Sequence, residues 1–287
     1  MDIVKTGLAD HLVKCMKSMK KKGLQGGGIY KCRWGIYEKA HILKLNKENK
    51  TEKYKTVCEW IKALRVSCDD FQKEKMHRFA HHLNSSQVLC YSFFKYLKDN
   101  GKLSEFVKRV LDIDAKDLDC EFEYEPQANS DKYKSHQATN YDCRIFNDTF
   151  ELLIEVKYTE DKFGTCVKDE SHRYKFENCY RRLISGCKVL SKERINSLDV
   201  MSPYYQLIRN VLQIRDEKTY CLFLYPKANT SVDNKYNEFY EDGPVNKEEY
   251  DKYVKRVYWE ELLDLMSKDI RDVYFDEEIF PKIENSH

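Results

Sequence analysis

The chain has 287 residues, 41% hydrophobic and 34% charged, with 10 Gly and 5 Pro. That is enough apolar material for a sizeable core, and it excludes fibrous and disordered classes. Charge is uneven: residues 1–84 hold 19 Lys+Arg against 9 Asp+Glu, while the remainder holds 31 against 39.

No stretch approaches the ~20 apolar residues of a membrane helix, so no membrane partner is expected. Residues 1–22 are amphipathic and lysine-rich, without the apolar run of a secretory signal. The 11 Cys form no CxxC pair, and several sit inside apolar runs. They read as small buried hydrophobes in a reducing, cytoplasmic setting.

The first stretch reads as mainly helical, with Gly26-Gly27-Gly28 as a loop that lacks any phosphate-binding motif. From Tyr54 to Leu83 apolar residues recur at helical spacing, which would put His77 and His81 on one face. Asn84-Ser85-Ser86 offers N-capping oxygens for a helix carrying Val88, Leu89, Phe93, Phe94 and Leu97. A second helix, Ser104–Leu111, completes a helical hairpin.

The period then changes. Cys120–Tyr124 alternates, with Glu121 and Glu123 on one side and Phe122 and Tyr124 on the other. Asn140–Phe146 and Phe150–Tyr158 form a hairpin turning at Asn147-Asp148. Helices return at Tyr174–Ile184 and at Pro203–Ile214, the latter with Ser202 as N-cap. Thr219–Tyr225 reads as a buried strand, and Lys247–Met266 as a final helix.

Counting outward from the hairpin turn, Arg144 faces Glu151 and Asp142 faces Leu153. One face then shows Asp142, Arg144, Glu151, Leu153, Glu155 and Lys157. The other shows Tyr141, Cys143, Ile145, Leu152, Ile154 and Val156, which is core. Asp142 and Glu155 lie diagonally, their Cβ atoms within ~7–8 Å. Two carboxylates so placed can reach one hard divalent ion, with Lys157 beside them for a water or a phosphate. Alternatively, Lys157 simply pairs with Glu155 on a solvated face.

Asp142 followed by Glu155-Val156-Lys157 at the end of an apolar strand resembles the PD-(D/E)XK nuclease superfamily, the restriction-endonuclease-like fold. The nearest likeness is to a bacterial restriction-endonuclease branch. It is carried by Phe79-Ala80-His81-His82, Asn84-Ser85-Ser86-Gln87, Phe122-Glu123-Tyr124, Thr139-Asn140-Tyr141-Asp142, Ile154 to Glu160 and Tyr205 to Asn210. These phrases span roughly residues 79–260.

The resemblance implies an α/β fold: an α/β/α sandwich around a mixed sheet, in the order helix, three strands, helices, strand. The charge split and helical spacing divide the chain into a basic, mainly helical region, 1–84, and a nuclease-like core with a C-terminal helix, 85–287. The resemblance implies a restriction-type endonuclease that hydrolyses DNA phosphodiester bonds with Mg²⁺, or Mn²⁺ as a substitute. Asp142, Glu155 and the Val156 carbonyl would hold the metal, and Lys157 would assist the attacking water. Gln206 would buttress Lys157 or a water, and Arg209 a phosphate.

Many members carry a Glu on the first core helix, where this chain has Gln87. Glu123 on the neighbouring strand is a substitute carboxylate, and Glu160 lines the groove. Lys20, Lys21 and Lys22 would grip the DNA backbone. A homodimer is compatible with this reading. Two rivals stand beside it: a nucleic-acid-binding or processing subunit that has lost cleavage, and a protein-interaction module.

Overall fold

The computed structural model describes residues 26–32, 35–43, 45, 49–126 and 140–275. Two strands open it, β1 (Gly26–Cys32) and β2 (Gly35–Leu43), paired antiparallel. The glycine triplet expected as a loop therefore lies in a strand. Helix α1 (Lys50–Ala63) follows, capped by the Asn49 side chain.

Helix α1 is shorter than the expected run to Leu83. Leu64 caps it, and Arg65 takes a left-handed backbone (φ 59°) that turns the chain away. Residues 65–84 are turns and irregular backbone without a helix, so His77 and His81 do not share a helix face. The reversal brings Cys58 and Cys68 together in a disulfide, with Cα atoms 5.6 Å apart. This pair departs from the expectation that every Cys is an unpaired filler. Cys90, Cys143 and Cys221 are free and buried as expected.

Helix α2 (Ser86–Asp99) starts where Ser85 accepts the Val88 N–H, and α3 (Leu103–Leu111) returns beside it. Next come β3 (Asp119–Tyr124), β4 (Tyr141–Asn147) and β5 (Phe150–Val156). The crossover to β6 (Thr219–Tyr225) holds α4 (Glu170–Lys175), a π turn (Phe176–Tyr180), α5 (Arg181–Gly186), α6 (Leu198–Met201) and α7 (Tyr205–Val211). Ser202 does not cap α7. It sits in a 3₁₀ turn that continues α6, its hydroxyl donating to the Cys166 carbonyl.

After β6 come α8 (Thr230–Asp242), α9 (Lys247–Tyr253), β7 (Val254–Tyr258) and α10 (Lys268–Tyr274). The single helix expected over 247–266 is thus broken by a fifth strand. Tyr250, Val254 and Val257 fit a helical period, but Val-Lys-Arg-Val-Tyr also suits a strand, and pairing with β6 decides it. No helix among the described residues is long and apolar enough to cross a membrane.

The main sheet has the order β3-β4-β5-β6-β7, with β6 parallel to both β5 and β7 and the remaining pairs antiparallel. This is a mixed five-stranded sheet of the α/β class, and helices cover both faces. On one side, Cys143, Ile145, Leu152, Ile154, Leu222 and Leu224 pack against α1, α2 and α10. On the other, Cys221, Phe223 and Tyr225 meet α5, α7, α8 and α9. Strand β6 is buried on both faces, which is why its sequence is continuously apolar.

Each fully buried Leu, Ile or Phe contributes ~1.5–3 kcal/mol, so these two layers supply most of the stabilisation. Helix α1 shares the first layer: Trp60 is buried and its indole N–H donates to the Tyr274 hydroxyl at 3.1 Å.

The hairpin register differs from the expected one by two residues. Asn147 pairs with Phe150 and Arg144 with Leu153, so the turn is Asp148-Thr149. A shift of two keeps every side chain on its face. The exception is at Tyr141, expected beside Cys143 in the core layer. Its hydroxyl instead donates to the Asn210 carbonyl of α7, at 2.8 Å. Glu123, next to the Tyr124 that pairs with Tyr141, has a left-handed backbone (φ 51°), which interrupts the alternation of side chains at this edge.

Candidate active site

The ladder between β4 and β5 ends at Cys143 and Ile154. One step further, Asp142 does not continue the pairing. Its Oδ2 accepts the Val156 N–H at 2.6 Å, so the carboxylate takes the place of a ladder carbonyl. The strands part here, and the opening is where Asp142, Glu155 and Lys157 gather.

Glu155 is only 5% exposed. Its Oε1 meets the Lys157 ammonium at 2.8 Å and accepts from Gln206 Nε2 at 2.6 Å; Oε2 accepts from Asn210 Nδ2 at 2.8 Å. Burying a carboxylate is costly unless it is paired and hydrogen-bonded, and this one is both. Gln206 is itself fixed: its Oε1 accepts the Gly164 N–H at 2.7 Å. A Cβ on Gly164 would come within 3.3 Å of that oxygen, so only glycine fits without displacing it.

Thus Gln206 holds the Glu155 carboxylate, where sequence had it buttressing Lys157 or a water. Asn210, 2% exposed, is the second amide on Glu155, and the sequence did not single it out for the site. Spacing was its signal. It lies one turn after Gln206, so both amides face β5.

Glu123 and Gln87 meet as well. Gln87 Nε2 donates to Glu123 Oε1 at 2.7 Å and to the Lys75 carbonyl, while its Oε1 accepts the His77 N–H. Gln87 therefore orients a carboxylate and does not replace one. Glu160 accepts from the Ser86 hydroxyl at 2.6 Å and from the Tyr158 N–H at 2.7 Å. A cleft of about 410 Å³ opens onto Asp142, Glu123, Gln87 and Glu160, with His77 and His82 in its wall.

Electrostatics bear on what this recess can hold. Burial raises the Asp142 pKa well above its ordinary value, and the Glu155 and Glu123 carboxylates raise it further. Burial likewise lifts Glu123 to about 7, with Glu155 adding to the rise and the Gln87 hydrogen bond opposing it. Burial alone would lower Lys157, but Glu155, Glu160 and Asp142 outweigh it and raise its pKa. Lys157 is an ammonium here. It can orient a water or balance charge, and it is not poised to take a proton.

Among the described residues, no three His, Cys, Asp or Glu side chains converge as a preformed metal cluster. The donor chemistry nevertheless fits a hard cation: carboxylates crowded enough to raise one another's pKa, with the Lys157 ammonium on Glu155 and Lys75 acting on Glu123. Mg²⁺ commonly takes one or two carboxylates and keeps several waters. Asp142 and Glu155 are two carboxylates of that kind.

Arg209 stands on α7 with its guanidinium 5.1 Å above the Tyr205 ring. Lys20, Lys21 and Lys22 lie outside the described residues.

No curated protein and no solved structure matches this chain. A family described as Restriction Endonuclease associating with ARP matches residues 17–276, which is nearly the whole chain and agrees with a restriction-endonuclease-like character. The chain belongs to this family, REase-ARP.

Proposed function

We propose that the protein is a metal-dependent nuclease of the PD-(D/E)XK type that hydrolyses DNA phosphodiester bonds, cutting as a restriction-type endonuclease. The observation that carries this reading is the Glu155 carboxylate, held by Lys157, Gln206 and Asn210 beside Asp142. A merely structural ion pair would not need a second, unneutralised carboxylate at its side. The family description supports the same chemistry, and its mention of ARP adds a partner to the reading.

In this reading Asp142, Glu155 and the Val156 carbonyl hold Mg²⁺ or Mn²⁺. The bound ion supplies polarisation of the phosphoryl oxygen and an acidified water. The Lys157 ammonium, on Glu155, would orient a water and balance charge at a phosphate. Gln206 and Asn210 fix the Glu155 carboxylate, so little reorganisation is left for the reacting state. The Asp142–Val156 bond sets the strand separation.

The test uses purified protein with circular, linear and single-stranded DNA in Mg²⁺, then in chelator. Cutting is expected in Mg²⁺ only, and Glu155→Ala and Asp142→Asn are expected to abolish it with circular dichroism unchanged. Wild-type cutting by either variant would overturn the reading.

A further inference from the structure

A second charged feature lies apart from the carboxylates. Lys175, Cys179, Arg182 and Gly186 recur at helical spacing along the continuous run of α4, π turn and α5, so they share one side of it. Arg215, just past α7, crosses to the end of this run. Its Cδ lies 3.8 Å from where a Cβ on Gly186 would stand. Arg209 joins from α7, stacked on Tyr205, whose hydroxyl meets that of Tyr180 at 2.9 Å.

Cys179 marks where these cations meet. Burial raises its thiol pKa, while Arg182, Arg209, Arg215 and Lys175 all act to lower it. Arg182 and Arg215 are exposed, Lys175 and Arg209 half-buried.

The acids nearby are engaged elsewhere. Glu177 pairs with Arg181 and Glu217 with Lys188. The Asp216 carboxylate accepts from the Lys218 and Thr219 N–H groups. Among the described residues, no carboxylate comes within ion-pair reach of Lys175, Arg182 or Arg215. Asp169, paired with His172, acts on Lys175 from beyond ion-pair reach, whereas Arg182 and Arg215 gather here with no carboxylate that close; like charges so gathered repel, and a polyanion would relieve them.

Length selects the kind of anion. From Lys175 to Gly186 the run rises on the order of 15 Å at 1.5 Å per residue, too long for a lone phosphate. Duplex DNA presents a negative charge every ~1.7 Å of axis, and a ridge of this length meets several. The ridge also starts near the carboxylates: Arg209 is three residues from Gln206, a rise of ~4.5 Å.

We propose that Lys175, Arg182, Arg209 and Arg215 form a ridge that grips the phosphate backbone of DNA beside the carboxylate site. That the polyanion is DNA rests on the nuclease reading. The grip itself does not.

The experiment measures binding of a labelled duplex to the full chain in chelator across a salt series. Lys175→Gln/Arg182→Gln/Arg215→Gln is expected to flatten the log–log salt slope by ~0.9 per lost contact, approaching ~2.7. Arg182→Lys/Arg215→Lys, which keeps the charge, is expected to retain the wild-type slope. Should the triple variant melt early, Arg182→Gln alone decides, with an expected change of ~0.9.

An unchanged slope overturns the proposal. So does equal flattening by the control Lys55→Gln/Lys62→Gln/Lys116→Gln, or displacement of the duplex by poly-glutamate as readily as by unlabelled DNA. Cutting in Mg²⁺ is scored separately. A ridge-dependent slope without cutting sinks the nuclease reading alone, and cutting with an unchanged slope sinks the ridge alone.

Discussion

Asp142 and Val156 are joined where two strands part: the carboxylate of one accepts the backbone N–H of the other at 2.6 Å. A side chain thereby ends the ladder in place of a carbonyl. The sheet opens without leaving that donor unsatisfied, and Glu155, the residue before Val156, is free of the β4 ladder while still paired with Phe223 of β6.

Asn210→Ala removes one of the two amides that hold Glu155. Groups that orient metal-binding residues are worth about 10–100-fold in metal affinity or activity. A Mg²⁺ titration of DNA cleavage is expected to show half-saturation moved upward by that order. Equal titration curves for the variant and wild type would show that Asn210 has no part in the site.

The raised acids give a pH signature in metal-free protein. Glu123 moves from 4.5 to about 7 on folding, so across that window the folded chain binds more protons than the unfolded one. Its contribution is therefore present in acid and lost as pH rises through the folded value. The thermal midpoint of wild type relative to Glu123→Gln is expected to fall between pH 4.5 and about 7. A relative midpoint that climbs over this window would reverse the sign argued here.

Tyr274→Phe leaves the buried Trp60 N–H without its 3.1 Å partner. The cost of such an orphaned donor is ~1–3 kcal/mol, read from urea unfolding. Because this bond joins α1 to α10 across one core, tryptophan fluorescence and circular dichroism are expected to report a single, coincident transition. Two separated transitions would mean that α1 melts independently.

Lys20, Lys21 and Lys22, the cations singled out from the chain's uneven charge, are testable against the ridge on α4, α5 and α7. Replacing all three by Gln is expected to flatten the salt slope of DNA binding by ~0.9 for each contact they make. The Mg²⁺ requirement for cutting is expected to stay as it is. No change in slope would remove them from the DNA path.

Much of the sheet was legible because β4 alternates cleanly and β6 is a continuously apolar run. The register was off by two, yet Glu155 and Lys157 kept their face because a shift of two preserves the pleat. Tyr141 was misplaced since the left-handed backbone of Glu123, beside its partner Tyr124, interrupts alternation, and no hydrophobic period encodes that. Strand β7 hid within a helical spacing that its neighbour β6 overrode.

Glu155 was readable as a carboxylate on a strand, but its holders were less so. An amide on a polar helical stripe could equally face solvent, and only the docking of α7 turns Asn210 inward. Summed charge misled in another way. The carboxy-terminal part is acidic overall, and the cations of the ridge are drawn together by folding from 175 to 215.

The parallel pairing of β5 with β6 has a consequence for the order of assembly. Parallel neighbours require a crossover, and here it runs from residue 157 to 218. Everything that shields Glu155 on its open side, Gln206, Asn210 and the strand beside it, belongs to that crossover or follows it. On a growing chain the β3–β5 meander can form first from near-neighbour contacts, with Glu155 still hydrated. The carboxylate loses its water only when α7 and β6 close over it, and such distant contacts form late. A nascent chain therefore carries the Asp142–Glu155 hairpin before it carries a competent site.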